Sequence, residues 1–495
     1  MIEARQAARH FCQQSLTPGQ GKSAQDVFAN VANFKSDLLR SESSHLSNTT
    51  DSPPAPAAAD LPSLAGRAYR CQCGCPVFFR NSTCLACRTP LGYDTVQARL
   101  LPLMPGQDPD TWVEWRTEDA PTQPVSDVPT PAYLRCPNLQ SPAACNWLVP
   151  VGEGQPQVLL CRACRLNRTI PDLNDPEHPD NGELWGRVEL AKRRLVSALL
   201  ALRLPLSSRV SEDPDGGLMF DFLRSPDYGP HIMTGHATGL ITLNLNEADD
   251  ATREAVRKAM HEPYRTLLGH LRHEVGHYYW DQLIARTDWL QGFRELFGDE
   301  TQDYAASLQT NYAQGPRPDW ALHYVSAYAS VHPWEDWAEC WAHYLHIRDT
   351  VDTALSFGLA TDTAQLEFTP FARDALYQPE HPDAERFLAF LNCWTRLTML
   401  LNEMSRAMGQ PDFYPFVLPH GVVAKLQFIH LVVSAVNDAP ELSGKDSQGQ
   451  DQGQGQTPNV DNSDMNSNNS QAQGETQLQS QGFDPQQQLQ GQNNF

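Results

Sequence analysis

The stretch GHLRHEVGHYYWDQL, residues 269–283, decides how the rest of this sequence is interpreted. It contains the pattern His-Glu-x-x-His, formed by His273, Glu274 and His277. On a helix, side chains four residues apart lie on the same face, so the two imidazoles could bind one metal ion. Glu274 would project beside them, where it could accept a proton from water. The segment therefore predicts a helix that carries a zinc-type hydrolytic site, and we expect Gly276 to leave space beside the metal.

A third metal ligand should follow this motif, because catalytic zinc usually keeps three protein ligands and one open position. Two downstream segments offer carboxylates: LFGDETQDY (296–304), with Asp299, Glu300 and Asp303, and HPWEDWAE (332–339), with Glu335, Asp336 and Glu339. We favour the second segment, because Glu335 and Glu339 are four residues apart and project from one side of a predicted helix. Glu335 is the expected ligand, and Glu339 is expected to accept a hydrogen bond from the outer nitrogen of a ligand histidine.

The first of two cysteine clusters begins with CQCGC at residue 71 and ends with the pair Cys84-x-x-Cys87. Because no export signal precedes them, clustered cysteines are more often metal ligands than disulfides. We expect Cys71 and Cys73 to complete a four-cysteine zinc site with Cys84 and Cys87. A pair that uses Cys75 instead is the open alternative.

The second cluster comprises Cys136, Cys145, Cys161 and Cys164. Its first pair is more widely spaced, but the four thiols still predict a second closed site. Both zinc ions are expected to be structural, since small loop-rich modules lack a sufficient core of their own.

A longer segment around Glu335 carries a resemblance to known peptidases. AYASVHPWEDWAECWAHYL (327–345) resembles the second active-site helix of gluzincin peptidases, including the lethal-factor-like group. In those enzymes a tyrosine about two helical turns before the ligand glutamate supports the oxyanion. Tyr328 stands seven residues before Glu335, so the resemblance implies that role for it.

The chain over 69–436 also resembles a bacterial family in which a zinc ribbon is joined to a zinc-binding metallopeptidase. The segments that carry this resemblance are CQCGCPVFFRNSTCLACRTPLGYD, CNWLVP, LCRACRLNRTIPDL, GHLRHEVGHYYWD, HPWEDWAE and GQPDFYPFVL. The resemblance implies a zinc-dependent hydrolase.

Four regions follow from these motifs and from changes in composition. We expect a weakly structured segment and linker (1–66), a zinc-ribbon module (67–175), a gluzincin-like metallopeptidase domain (176–438) and a disordered Gln/Asn/Gly-rich tail (439–495). The expected fold class is α+β, with a mostly helical, zincin-like peptidase domain. Helical periodicity predicts helices from about 181 and over 250–260, 262–286, 334–347, 385–408 and 422–436. The alternating segment GLITLNLN (239–246) predicts a strand, which could take up a peptide substrate as an added strand.

Composition excludes some classes of partner. The net charge is −22, and an acidic chain is repelled by phosphate backbones, so we expect no nucleic-acid partner. The basic segment RVELAKRRL (187–195) is expected to form the exposed side of an amphipathic helix. No segment approaches the roughly 18 apolar residues of a membrane span. We expect a cytoplasmic protein without a membrane contact.

The function expected from the sequence is hydrolysis of a peptide or protein substrate. Zinc held by His273, His277 and Glu335 would activate water, and Glu274 would carry its proton to the leaving amine. The expected metal content is one catalytic and two structural zinc ions, and the ribbons could also bind a protein partner. The alternative is a zinc-ribbon scaffold whose peptidase site is vestigial.

Overall fold

The computed structural model describes residues 64–116, 131–152, 159–226, 228–229, 231–260, 262–359, 361, 364 and 366–438. Within these ranges the chain forms a mixed α/β structure. The expectations for the tail (439–495), and for all but the last three residues of the segment 1–66, lie outside the described residues.

The described strands are short and come mostly from the first half of the chain. They are β1 (Tyr69–Arg70), β2 (Pro76–Val77), β3 (Leu91–Asp94), β4 (Arg99–Pro105), β5 (Trp112–Glu114), β6 (Tyr133–Arg135), β7 (Leu148–Pro150), β8 (Asn167–Thr169), β9 (Met219–Leu223), β10 (Gly235–Ala237) and β11 (Leu240–Asn244).

Nine α-helices fall within the described ranges. They are α1 (Asn181–Ala201), α2 (Asp250–Ala259), α3 (Leu267–Leu283), α4 (Trp289–Leu296), α5 (Tyr304–Gln314), α6 (Trp320–His323), α7 (Pro333–Ser356), α8 (Ala384–Ala407) and α9 (His420–Asp438). The six helices predicted from periodicity are present, and α7 continues nine residues beyond its predicted end. Helices α4, α5 and α6 were not predicted.

The cysteine-rich part is built from antiparallel strands. Strands β1 and β2 pair with each other, and a separate sheet has the order β3-β4-β5-β6-β7. The Cys84–Cys87 knuckle lies between β2 and β3, and the other cysteines lie at turns that precede or follow short strands. Turns of this kind place thiols close together without a large apolar core.

A third sheet lies beside the helices and has the order β10-β11-β9-β8. Strands β8, β9 and β11 are parallel, whereas β10 is antiparallel to β11 and occupies an edge. The strand predicted over 239–246 is therefore present as β11, but its expected role was wrong. Because β11 is paired on both sides, it has no free edge for a substrate strand, whereas β10 does.

Helices α3 and α7 pack closely, and both begin with a capped first turn. Thr266 Oγ1 accepts a hydrogen bond from the Gly269 amide (2.9 Å) at the start of α3. A Cβ at Gly276 would lie 3.0 Å from the Cα of Ala338 in α7. The expectation for Gly276 was therefore wrong: the missing side chain makes room for the backbone of α7 and not for the metal.

The basic segment 187–195 is also not the exposed surface that we expected. Lys192 and Arg193 are 0 % and 3 % exposed. The Lys192 ammonium pairs with Glu189 at 2.7 Å, and Arg193 donates to the Ala143 carbonyl at 2.9 Å. These cations are buried because α1 lies between the cysteine-rich part and the helices, where each finds an acceptor.

The cysteine-rich and helical parts share one hydrophobic cluster, which includes Tyr93, Trp147, Trp185 and Trp341. Strand β8 also links them, because it comes from before residue 175 and pairs with β9. Of the described helices, none combines the length and the apolar composition needed to cross a membrane.

A buried carboxylate connects these parts. Asp349 of α7 lies 3.1 Å from Arg67 at the start of the cysteine-rich part, 2.6 Å from Arg194 of α1 and 2.8 Å from Arg272 of α3. Burial alone would raise the pKa of Asp349, but the three guanidinium groups hold it well below its usual value. The folded structure therefore stabilises the ionised form of Asp349.

We expect Asp349→Asn to lower the free energy of unfolding by about 3–5 kcal/mol, because three guanidinium groups lose their shared counter-charge. Since the folded-state pKa is depressed, this contribution is present at neutral pH and is lost as the pH falls through the acidic range. The difference between wild type and variant should therefore narrow in acid. Urea unfolding followed by circular dichroism measures both effects.

Glu403→Gln is the matched control, because Glu403 pairs with Arg406 on the surface and is 71 % exposed. It should change the same free energy by less than about 1 kcal/mol. Equal losses in the two variants would contradict a special role for Asp349.

Candidate metal centre

Three predicted ligands from two helices converge at the contact between α3 and α7. One atom each of His273, His277 and Glu335 lies within 4.8 Å of the others. Glu335 Oε2 is 3.0 Å from His273 Nε2 and 3.6 Å from His277 Nε2. Pro333 and the cap formed by His332, whose Nδ1 accepts from the Trp334 amide at 3.1 Å, begin α7 just before Glu335. Glu335 is therefore held in the first turn of its helix.

These distances fit a zinc ion. With zinc–ligand bonds of about 2.0–2.1 Å, tetrahedral ligand atoms lie about 3.3–3.4 Å apart. Glu335 Oε2 is buried and accepts no well-formed hydrogen bond within the described residues, despite its approach to two imidazoles. A buried carboxylate oxygen in this state needs a cation, and nitrogen with carboxylate oxygen is a donor set that zinc accepts.

Electrostatics at this point also favour a cation. Burial alone would lower the pKa of His273, but Glu335 and Glu339 hold it well above its usual value. Burial would likewise raise the pKa of Glu335, but the imidazoles of His277 and His273 hold it well below its usual value. The carboxylates thus create a negative potential that a metal ion could satisfy in place of a proton.

Glu339 occupies the position expected of it. Its Oε1 lies 2.8 Å from His273 Nδ1, and its Oε2 accepts a hydrogen bond from Ser326 Oγ at 2.6 Å. When Nδ1 of His273 donates its hydrogen to Glu339, Nε2 of the same ring keeps a lone pair, which is directed toward Glu335 and His277. Ser326, which was not predicted, is itself fixed because it accepts from the Ala329 amide at 3.1 Å.

Glu274 lies on α3 between the two histidines and is 8 % exposed. Burial raises the pKa of its carboxyl above the usual value, although His273 and His277 act in the opposite direction. A carboxylate with a raised pKa is a better proton acceptor than an exposed one.

Tyr328 borders the same centre on the side open to solvent. Its ring lies 5.9 Å from the ring of His273, and 38 % of its surface is exposed. The side chain of His273 keeps 14 % of its surface exposed, whereas that of Glu335 keeps 2 %. The centre is therefore open to solvent on the side of His273 and Tyr328.

The segment 296–304 contributes to the centre, but not through its carboxylates. Asp299 bonds to Thr301, Glu300 pairs with Arg294, and Asp303 caps α5. Instead, the hydroxyl of Tyr304 donates to Glu335 Oε1 at 2.5 Å. A tyrosine in an exposed acidic segment gives no sequence signal of this contact.

His236 of the edge strand β10 is another neighbour that the sequence did not indicate. Its ring stacks on that of His277, with centroids 6.1 Å apart and planes inclined by 24°. Strand β10, which has the free edge, therefore lies next to His277. Trp334, whose ring centroid is 4.0 Å from that of His277, covers another side of the same imidazole.

The first cysteine cluster brings together the sulfurs of Cys71, Cys73, Cys84 and Cys87. The Cys71–Cys87 and Cys73–Cys84 sulfur pairs are 3.5 and 3.8 Å apart. Tetrahedral zinc with bonds of about 2.3 Å would separate its sulfurs by about 3.8 Å, whereas a disulfide would bring them to about 2.05 Å. Cys75 is not in this group, and its carbonyl accepts from the Cys71 amide at 2.9 Å.

The second cluster comprises Cys136, Cys145, Cys161 and Cys164, and all four are buried. The Cys145 and Cys161 sulfurs lie 3.6 Å apart, again near the separation for a tetrahedral site. Both clusters therefore have the donor set and spacing of closed zinc sites.

We expect Glu339→Gln to weaken metal binding at the histidine–glutamate centre by about 10–100-fold, because the charged acceptor that orients His273 is lost. Competition with a calibrated chelator measures the dissociation constant. Glu254→Gln, in the exposed part of α2, is the control and should leave that constant unchanged. Equal affinity in wild type and Glu339→Gln would show that Glu339 does not orient the ligand.

Comparison with known proteins places these features in a family. Residues 181–432 match the family described as "Putative zinc-binding metallo-peptidase", and residues 68–175 match a zinc-ribbon domain. Three uncharacterized proteins, one from Mycobacterium bovis and two from Mycobacterium tuberculosis, are each 42 % identical over 384 residues, which cover 77 % of this chain and 99 % of the relative. No solved structure gives a significant match. The resemblance of residues 69–436 to a zinc-ribbon metallopeptidase family is confirmed: the chain belongs to this zinc-binding metallo-peptidase family and carries a zinc-ribbon domain before the matching region.

Proposed function

We propose that this protein is a zinc-dependent peptidase of the gluzincin type, with a zincin-like catalytic domain over 176–438 and zinc ribbons over 67–175. His273, His277 and Glu335 hold the catalytic zinc ion, and Glu274 is the general base. The observation that carries the proposal is the approach of Glu335 Oε2 to both imidazole Nε2 atoms, at 3.0 and 3.6 Å. These atoms belong to helices that are far apart in sequence, and Glu274 lies beside them.

Each residue of the centre has a defined task in peptide hydrolysis. A zinc ion held by His273, His277 and Glu335 would supply Lewis acidity and would lower the pKa of bound water toward ~7. Glu274 accepts a proton from the attacking water and donates it to the leaving amine, a role that its raised pKa supports. Tyr328 donates its hydroxyl hydrogen to the oxyanion that develops on the scissile carbonyl. Glu339 keeps His273 in the required tautomer.

The substrate binds in an extended conformation along β10. This strand has a free edge and carries His236, which stacks on His277. An added peptide strand would gain main-chain hydrogen bonds there and would pass close to the metal ligands. The free edge supports a peptide or protein substrate over a small, compact one.

The two cysteine clusters each hold one structural zinc ion, and the ribbons could also present a surface to a protein partner. The thiols of both clusters stand at the spacing of zinc ligands. This spacing supports a reducing, cytoplasmic location, where such thiols stay available to a metal.

We expect three zinc ions per chain in purified, folded protein. Inductively coupled plasma mass spectrometry of the wild type gives the count. His273→Ala should give two, because only the histidine–glutamate centre loses a ligand, and Cys161→Ser should lose zinc from the second cluster. Two zinc ions or fewer in well-folded wild type would contradict the assignment.

Glu274→Gln should retain all three zinc ions and lose peptide hydrolysis, because an amide cannot accept the proton. The rate should fall by at least about 10²–10⁴-fold, the usual contribution of a general base. An unbiased peptide library, digested with wild type and variant and analysed by mass spectrometry, identifies the cleaved bonds. The exposed Glu254→Gln is the control and should cleave like wild type.

The same experiment separates the peptidase from its rival, a zinc-ribbon scaffold with a vestigial site. A scaffold would show no cleavage that depends on Glu274. Equal turnover in wild type and Glu274→Gln would remove the proposed mechanism. The presence of a buried general base beside a full ligand set favours the enzyme.

A further inference from the structure

The two oxygens of Glu335 face different partners. Oε2 is directed at the imidazoles of His273 and His277, at 3.0 and 3.6 Å. Oε1 accepts a hydrogen bond of 2.5 Å from the hydroxyl of Tyr304. The side chain of Glu335 is 2 % exposed, so water does not compete for either oxygen. Tyr304 therefore decides which oxygen is available to a metal ion.

This division matters because a free carboxylate can bind a metal through one oxygen or through both. Binding through both would occupy the position that a hydrolytic centre keeps open for water or substrate. A short hydrogen bond to one oxygen disfavours that mode, since it withdraws negative charge from that oxygen and holds the carboxylate in one orientation. Partners of this kind commonly tune both metal affinity and geometry.

We propose that Tyr304 is a positioning residue that restricts Glu335 to one-oxygen binding, so that metal affinity depends on the docking of helix α5. This inference rests on the metal centre of the proposed function and adds a control element to it. Tyr304 is the first residue of α5.

Helix α5 is held to the rest of the protein by partly buried side chains. None of its residues is fully buried, as in α2 and α6 but in contrast to α3 and α7. Its first residue makes the main contacts near the centre: the Tyr304 ring lies 5.3 Å from the ring of His332 and 5.8 Å from that of Trp334. The helix lies between Gly298 (φ +108°) and Gly315 (φ +78°), two backbone conformations that other residues rarely adopt.

Helix α5 therefore covers the centre with no fully buried side chain: Tyr304 donates to Glu335, and Tyr312 also lies within electrostatic reach of Glu335. A helix with no buried side chain gains little free energy from packing and can detach without unfolding the core. Detachment would release Glu335 Oε1, and a bound metal would favour the docked state by linkage. The position of α5 and the coordination of the metal are thus coupled through the hydrogen bond of Tyr304 to Glu335.

The first experiment compares metal binding by Tyr304→Phe and wild type. Both are prepared as full chains from which one zinc ion per chain has been removed by a mild chelator. We expect Tyr304→Phe to bind zinc about 10–100-fold more weakly. Tyr377→Phe, which removes a surface hydroxyl 3.4 Å from Glu295, is the matched control and should bind like wild type.

Cobalt(II) placed in the same site gives a readout that a merely structural role would not change. Tetrahedral cobalt absorbs visible light more strongly than five-coordinate cobalt, so two-oxygen binding by Glu335 should weaken the d–d bands in Tyr304→Phe. Unaltered bands together with unaltered affinity would overturn the proposal. His273→Ala tests the metal centre itself. If His273→Ala binds zinc like wild type, the proposed function fails. If His273→Ala loses zinc binding and Tyr304→Phe does not, only the positioning role of Tyr304 is removed.

Hydrogen exchange needs no variant and tests the coupling directly. Addition of one equivalent of zinc to the wild type should slow amide exchange over 304–314, because the metal favours the docked helix. Tyr304→Phe should lose most of that protection, and the exchange of α8 should not change in either protein. Equal protection of 304–314 in wild type and Tyr304→Phe would show that the hydroxyl does not couple the helix to the metal.

Discussion

Helix α3 can lie against helix α7 only because residue 276 has no side chain. The contact of Gly276 with the backbone of Ala338 places one turn of each helix within reach of the other. Trp337 then donates its indole N–H to the Gly276 carbonyl at 2.9 Å, which fixes the two helices along their axes as well. His273, His277 and Glu335 are one turn or less from this contact. Their convergence is therefore a consequence of backbone approach, and a methyl group at 276 would separate the ligands before it affected any of them directly.

The second constraint is charge. Glu274, Glu335 and Glu339 are gathered around two imidazoles in a region that excludes most water. Carboxylates buried in this way are costly unless a cation or several hydrogen-bond donors compensate them. Ser326 and Tyr304 supply donors to two of the three carboxylates, and the unfilled requirement at Glu335 Oε2 is the one that a metal would meet. The negative charge of these carboxylates would thus be compensated with a divalent cation bound, and it is only partly compensated without one.

The sequence predicted those parts of the structure that depend on local geometry. The spacing of His273 and His277, and of Glu335 and Glu339, fixes their common faces as soon as each segment is helical. The long helices were predictable because apolar side chains recur with the helical period. The same reasoning could not find Tyr304 or Ser326, since their approach depends on the path of the chain between helices.

Errors in the sequence interpretation came from the same limit. Strand β11 could be predicted because apolar and polar residues alternate along it. Its place inside the sheet could not be predicted, because the order of strands depends on the tertiary structure. Lys192 and Arg193 were expected to be exposed because charged side chains usually are. They are buried because α1 is covered on both sides. Helix α5 escaped notice because it is short and its apolar stripe is narrow, formed by Tyr304, Leu308 and Tyr312, with no side chain fully buried.

Strand β8 has a consequence for how this protein can be divided. It belongs by sequence to the cysteine-rich part, yet it covers the outer edge of β9 in the sheet beside the metal centre. A chain trimmed to begin after residue 175 would leave that edge open and would also remove Arg67 from Asp349. Open edges of parallel strands pair readily with other chains. The cysteine-rich part thus covers an edge that could otherwise pair with another chain and aggregate. The helical part expressed by itself would lack both strand β8 and the charge of Arg67.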